Sequence, residues 1–454
     1  MTAADAHTGD RTGNRAGNLW EIVAANRRGI RRGIPSYCTA HPDVLKAILR
    51  TYHADDAPIL IEATCNQVNQ FGGYTGMQPD DFRSFIHGLA AETGVDPARI
   101  ILGGDHLGPN PWKTETASFA MERACDMVRA YVRAGFVKIH LDASMACADD
   151  ARLDDAEIAR RAATLARAAE DAADGRALAY VIGTEVPTPG GETEAIDHLA
   201  VTAPASVAAT VEAHAKAFAM QGLEEAFARV IGIVVQPGVD FGNAQVVHFD
   251  RAKATALAGA VDGLPGIAFE AHSTDYQTGA ALADLVNSHF AILKVGPELT
   301  FAYREAVVAM THIESWMPGG PRSDLINVVQ QTMDGDPRHW RDYIPSGARA
   351  AAMRLFGLSD RVRYYWPQPP IQQALARLRA NIDAAAPEVG LLTQYVGDVT
   401  PPAVQGLSPF DSILQAKIGA VVQRYRDACH TPLTPAAATP APRRSVGDRL
   451  AAGS

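Results

Sequence analysis

The chain has 454 residues, 47% of them hydrophobic, enough to bury a large core and to exclude disorder for most of its length. A formal net charge of -10 without clustered Lys and Arg excludes a nucleic-acid surface and leaves a small-molecule site as the default. Cys38, Cys65, Cys125, Cys147 and Cys429 lack CxxC spacing, which excludes a disulfide framework or structural zinc site; with a polar N-terminus and no membrane-length apolar run, a soluble cytoplasmic protein is expected.

Residues 1–18 read as a disordered segment. From about residue 30 to 315, short apolar runs alternate with Ala-rich amphipathic stretches, the pattern of repeated β-α units. The strands are expected at 33–38, 58–64, 100–105, 136–142, 178–186, 230–236, 267–272 and 290–296. Eight parallel strands, each followed by a helix, close a (β/α)8 TIM barrel, here over 19–316. An open doubly wound sheet is the alternative, but IPSYCTAHPD after the first strand has no Gly-rich phosphate loop. Past the break at MPGGPRS, residues 317–430 read as a helical extension packed on the barrel, and the Pro/Ala-rich 431–454 as a disordered tail.

Polar residues stand at the strand C-terminal ends, the rim where barrel enzymes build their sites. Glu62 and Asn66 follow the second strand and Asp105-His106 the third. In that pair the imidazole can bind a divalent metal while the carboxylate moves a proton; a helix-capping Asp beside a satisfied His is the plain alternative. His140 and Asp142 lie two apart on the fourth strand, so both can face the barrel mouth: Asp142 as a catalytic carboxylate or an N-cap, His140 as a substrate contact or a core histidine.

Further along, Glu185 is an oxygen ligand or a partner for a rim cation, with Gln236 as a further metal-ligand candidate. Glu270 could act as a catalytic carboxylate, His272 as a metal ligand, and Ser273 and Asp275 as substrate contacts. Lys294 could be a substrate cation or, without metal, a Schiff-base amine. His106 and His272 with oxygen ligands suit Zn²⁺, with Mn²⁺, Co²⁺ or Ni²⁺ as alternatives, and leave a position open for a substrate oxygen.

Taken together, IPSYCTAHP, IEATCNQVNQFGGYTGM, GGDHLGPNPW, KIHLDAS, GTEVPTPGGE, QPGVDFG, EAHSTDYQT and LKVGPELTFAYREA resemble the large, so-called non-catalytic subunit family of class II D-tagatose-1,6-bisphosphate aldolase over roughly residues 19 to 430. The resemblance implies a TIM barrel, a ketohexose or ketohexose phosphate as ligand, a smaller catalytic aldolase subunit as partner, and a homo-oligomer. The family is similar in turn to the catalytic class II aldolases, whose DH motif matches Asp105 and His106 and whose later metal histidine matches His272. Three departures stand out: Gln236 where those enzymes carry a third histidine, Ser273 to Tyr276 in place of a Gly-rich phosphate loop, and Pro297 in place of a phosphate-binding Thr.

Three functions follow as expectations. The first is an aldolase subunit working by metal-assisted retro-aldol chemistry. The second is an independent ketohexose C4 epimerase, which opens the C3–C4 bond and re-forms it on the other aldehyde face. The third is a non-enzymatic accessory protein that stabilises a catalytic partner.

Overall fold

Runs of Ile, Val and Leu bounded by Gly, Pro or Asp form the strands, because branched side chains suit an extended backbone buried on both faces. The structure, a computed structural model, describes residues 15–183, 199–397 and 406–430. Its strands are β1 (Ile34–Cys38), β2 (Ile59–Thr64), β3 (Ile100–Leu107), β4 (Lys138–Leu141), β5 (Ala179–Ile182), β6 (Val230–Val234), β7 (Asp240–Phe241), β8 (Val246–Val247), β9 (Ala268–Ala271) and β10 (Phe290–Val295). Eight close a parallel barrel in the order β1-β2-β3-β4-β5-β6-β9-β10, and β10 returns to β1 with Lys294 opposite Ser36. The expected barrel with a C-terminal helical extension is the fold found.

Two strand ends differ from expectation. β3 runs on to Leu107 through a register shift after Gly104, with His106 in the left-handed region at φ 49°. β5 is described to Ile182, and at Gly183 (φ 133°) a Cβ would stand 2.5 Å from the Val234 carbonyl; residues 184–186 of the expected strand lie outside the described residues. After β6 the short strands β7 and β8 pair antiparallel as a hairpin that no strand pattern announced.

Proline opens the helices Pro42–Thr51, Pro79–Thr93, Pro204–Met220 and Pro297–Trp316, where its missing N–H would have had no partner anyway. The helix Arg15–Arg27 lies ahead of the first strand and covers the barrel floor. Leu19, Ile22 and Val23 pack there against Leu60, Ile101, Ala179, Ile231 and Ala268. Each such side chain contributes about 1.5–3 kcal/mol by leaving water. Asn26 pins the helix by donating to the carbonyls of Arg32 (2.9 Å) and Val286 (3.0 Å).

The extension does two things. Its helices Leu325–Gly335, Ala350–Phe356 and Pro369–Ala385 pack around Pro297–Trp316 beyond the mouth. Its last helix, Pro409–Cys429, returns to the barrel wall and fills the gap between Gly279–Asn287 and Pro42–Thr51, against β1. The Gly33 amide donates to the Cys429 carbonyl (2.9 Å), and the Tyr425 hydroxyl to the Thr274 carbonyl (2.6 Å). Among the described residues, no helix is long and apolar enough to cross a membrane.

Candidate active site

The two-residue strand period brings Glu62 of β2, Lys138 and His140 of β4, Glu270 of β9 and Lys294 of β10 into the barrel interior. The lower of two polar layers is a buried triad in which Lys138 Nζ stands 2.6 Å from Glu62 Oε1 and 2.9 Å from Glu270 Oε2. Opposite Glu62 in register is Gly103, where a Cβ would come within 2.5 Å of Glu62 Oε1. Burial alone would lower Lys138, but Glu270 and Glu62 outweigh it and hold the ammonium above its ordinary value. Burial pushes the Glu62 carboxyl up despite the Lys138 ammonium beside it.

Above the triad, three imidazoles crowd around Asp105. The rings of His106, His140 and His272 have centroids 4.9 to 5.3 Å apart. Asp105 Oδ1 accepts from His140 Nδ1 (2.9 Å), and its Oδ2 pairs with the Lys294 ammonium. Burial would raise the Asp105 carboxyl, yet His106, Lys294, His140 and His272 hold it well below the usual carboxylate range. Burial lowers Lys294, but Asp105 outweighs it and keeps the ammonium charged, the wrong state for a Schiff-base amine. His272, against Glu270 Oε1 (2.9 Å), is held well below the usual imidazole value by burial and by Lys294, and is therefore neutral.

Ligand atoms of Asp105, His140, Glu270 and His272 all lie within 4.8 Å of one another. An ionised carboxylate and a neutral imidazole are the states in which these groups bind metals. His140 Nε2 and His272 Nδ1 are buried with no hydrogen-bond partner among the described residues, an expensive condition for polar atoms with nothing to bind. A set of two imidazole nitrogens and two carboxylate oxygens suits Zn²⁺ or another divalent transition ion, and the described side chains fit such an ion.

The expected site residues thus fall into distinct places. Asp105, His140, Glu270 and His272 come together, although sequence spacing assigned His140 to substrate and Asp105 and Glu270 to catalysis. His106 stands beside them, its Nδ1 donating to Asp142 Oδ2 (2.8 Å). Asp142 also accepts from Ser144 Oγ (2.6 Å) and so anchors His106 rather than facing the cavity. Glu62 lies in the buried triad. Gln236 requires correction: its Oε1, the atom that would ligate, accepts from the amides of Gly238 (2.8 Å) and Val239 (2.9 Å), closing its own loop instead. Asp275 borders the cavity, but its Oδ1 caps Pro297–Trp316 through the amides of Gly296 (3.0 Å) and Glu298 (2.8 Å). Glu185 lies outside the described residues.

A cavity of about 920 Å³ opens over the cluster. His106, His272, Ser273 and Lys294 form its floor with Asn66 at one side; Tyr343, Arg363, Tyr364 and Trp366 of the extension form its far wall. His106 (φ 49°) and Ser273 (φ 51°) hold left-handed backbone at this floor, a conformation that costs about 1–3 kcal/mol per residue and concentrates at functional sites. The Cys38 thiol also borders the cavity, but burial pushes it up to about 12, which makes it inert as a nucleophile. Sequence reasoning missed Lys138, although a lysine in the apolar run FVKIHLD, in step with His140 and Asp142, was a visible signal. It also missed Arg363, whose place depends on how the extension folds back.

Fold and site together define a (β/α)8 barrel with a metal-suited cluster at its mouth. The chain belongs to the family described as "D-tagatose-1,6-bisphosphate aldolase subunit GatZ/KbaZ-like", matched over residues 19–430. It is 48% identical over 422 residues to the D-tagatose-1,6-bisphosphate aldolase subunit GatZ of Klebsiella pneumoniae, covering 90% of this chain and 98% of that one. The GatZ subunit of Salmonella paratyphi B is 47% identical over 418 residues, with the same coverage. A crystal structure described as a probable tagatose 6 phosphate kinase from Sinorhizobium meliloti superposes with a TM-score of 0.81 at 45% identity, covering 88% of this chain and all of that one.

Proposed function

We propose that the chain is itself a metal-dependent enzyme that performs retro-aldol chemistry on a ketohexose or its phosphate. The single observation that carries this reading is the buried cluster of Asp105, His140, Glu270 and His272, with imidazole nitrogens left unpartnered beneath a cavity. A purely structural subunit has no physical reason to bury such a group. His140, His272 and Glu270 would hold the ion, with Asp105 beside it as the proton acceptor and His106, anchored by Asp142, next to Asp105. The ion, when bound, supplies Lewis-acid polarisation of the C2 ketone.

The chain's own residues account for the remaining chemistry. Lys294 can shift its ammonium from Asp105 to a developing substrate oxyanion. Losing that cation raises the basicity of Asp105, which can then take the C4 hydroxyl proton as the C3–C4 bond breaks and its electrons move toward the C2 oxygen. Asn66 and Ser273, which line the cavity, would contact substrate hydroxyls.

The epimerase reading is favoured by the extension's share of the cavity lining: Tyr343, Tyr364 and Trp366 border the same cavity as His272 and would retain both fragments long enough for re-addition at C4. The test is to incubate the purified chain, with and without chelator, with tagatose, fructose, their 6-phosphates and tagatose 1,6-bisphosphate, and to follow products by NMR. Chelator-sensitive triose formation supports an aldolase, and a C4 epimer without triose supports an epimerase. Inactivity relieved only by a smaller partner chain would sink the claim that this chain does the chemistry.

A further inference from the structure

The loop that leaves β9 carries His272 and is held in a costly shape. Residues 272–278 run from that imidazole to Thr278, which caps Gly279–Asn287. Two of them, Ser273 (φ 51°) and Tyr276 (φ 64°), take left-handed backbone without the freedom of glycine. The strain of two such residues is comparable to what a few buried hydrogen bonds supply, so the shape persists only where neighbours enforce it.

The last helix, Pro409–Cys429, supplies those neighbours through two consecutive residues. Arg424 pairs with Glu298, whose Oε2 accepts from the Tyr276 amide (2.7 Å). Tyr425 reaches closer to the cluster. Its hydroxyl donates to the Thr274 carbonyl (2.6 Å) and stands 3.1 Å from Thr274 Oγ1, which donates to the Lys294 carbonyl (2.6 Å). The Thr274 carbonyl also receives the Gln277 amide, at a longer 3.4 Å. Thr274 and Tyr425 are both fully buried, and Tyr425 stands outside the cavity lining. One phenol therefore ties together the backbone two residues beyond His272 and the backbone of Lys294, whose ammonium pairs with Asp105.

We propose that Tyr425, acting through Thr274, is a positioning residue for the metal site: it fixes the loop so that the His272 ring stays against those of His106 and His140. This rests on the reading above that His272 holds an ion. A ligating side chain depends on the groups that orient it, and here the orienting force reaches His272 through its own backbone. The helix that closes the barrel wall thus also tunes the barrel mouth.

The test is zinc titration of the full chain against a competing chelator, with melting temperatures in parallel, for Tyr425→Phe, Thr274→Val, Thr274→Ser and Tyr52→Phe. Tyr52 is the matched control, because its buried hydroxyl bonds the Tyr37 hydroxyl (3.0 Å), away from the loop. Tyr425→Phe and Thr274→Val should each weaken zinc binding about 10-fold, the scale expected for groups that orient ligands. Thr274→Ser, which keeps the hydroxyl, should stay near wild type, and Tyr52→Phe should lower the melting temperature without moving zinc affinity. Unchanged zinc affinity in Tyr425→Phe, or an equal loss in Tyr52→Phe, overturns the proposal. Should Tyr425→Phe fail to fold, the contrast between Thr274→Val and Thr274→Ser decides. A chain whose zinc affinity shifts in this way but that turns over no sugar upholds the role of Tyr425 and removes the proposed function instead.

Discussion

The floor and the mouth of this barrel are built from the same eight strands and could hardly differ more. At the floor, Leu60, Ile101, Ala179 and Ala268 meet Leu19, Ile22 and Val23 of the helix Arg15–Arg27. A few residues further along the same strands stand Glu62, Asp105, Glu270 and, on β4, Lys138 and His140, all fully buried. Burial at the floor stabilises; burial at the mouth stores unmet hydrogen-bonding and charge, tolerated because the rest of the barrel holds it. Stability and function are thus separated along the barrel axis, and substitutions at each end can test how cleanly.

The largest effect is expected at the mouth. His272→Ala should remove bound metal, measured by elemental analysis, and lower turnover by at least about 100-fold, with the melting temperature little changed or raised. A large drop in melting temperature would break the separation. Between the two ends, Lys138→Met leaves Glu62 and Glu270 buried without their cation and should cost about 3–5 kcal/mol in chemical denaturation. It should also weaken metal binding, because Glu270 contacts both Lys138 and His272.

At the floor, Leu19→Ala should cost about 2–5 kcal/mol of stability while metal content and kcat stay at wild-type values. The smallest effect concerns Glu298, which joins Pro297–Trp316 to the last helix through Arg424 and accepts from the Tyr276 amide (2.7 Å). Burial pushes its carboxyl from 4.5 up to about 7. The folded chain therefore holds an extra proton between these values, so this contribution to stability is full below about pH 4.5 and is lost as pH rises to about 7. Glu298→Gln should flatten the fall in stability over that window by on the order of 2 kcal/mol, read from melts at several pH values.

The barrel was legible because two-sided burial leaves apolar runs and because strand-end residues punctuate them. Along β4 the alternation also exposed His140 and Asp142 on one face, and the same alternation included Lys138, passed over because its neighbours are apolar. Gln236 was misread because position relative to a strand does not tell what a side-chain oxygen will bond locally, and here two amides in its own loop lie closer than any shared ligand. Leu19, Ile22 and Val23 have helical spacing, but a polar neighbourhood concealed the floor helix. Arg363 had no readable signal: its place on the cavity wall exists only once the extension has folded over the mouth.

The wall of the barrel is completed by a helix more than 350 residues away in sequence from the helix it packs beside, Pro42–Thr51. Because Pro409–Cys429 seats beside the first outer helix and against β1, a nascent polypeptide emerging from the ribosome carries an open seam until that helix has been made. A chain lacking that helix therefore exposes the apolar face of Pro42–Thr51 that the helix covers.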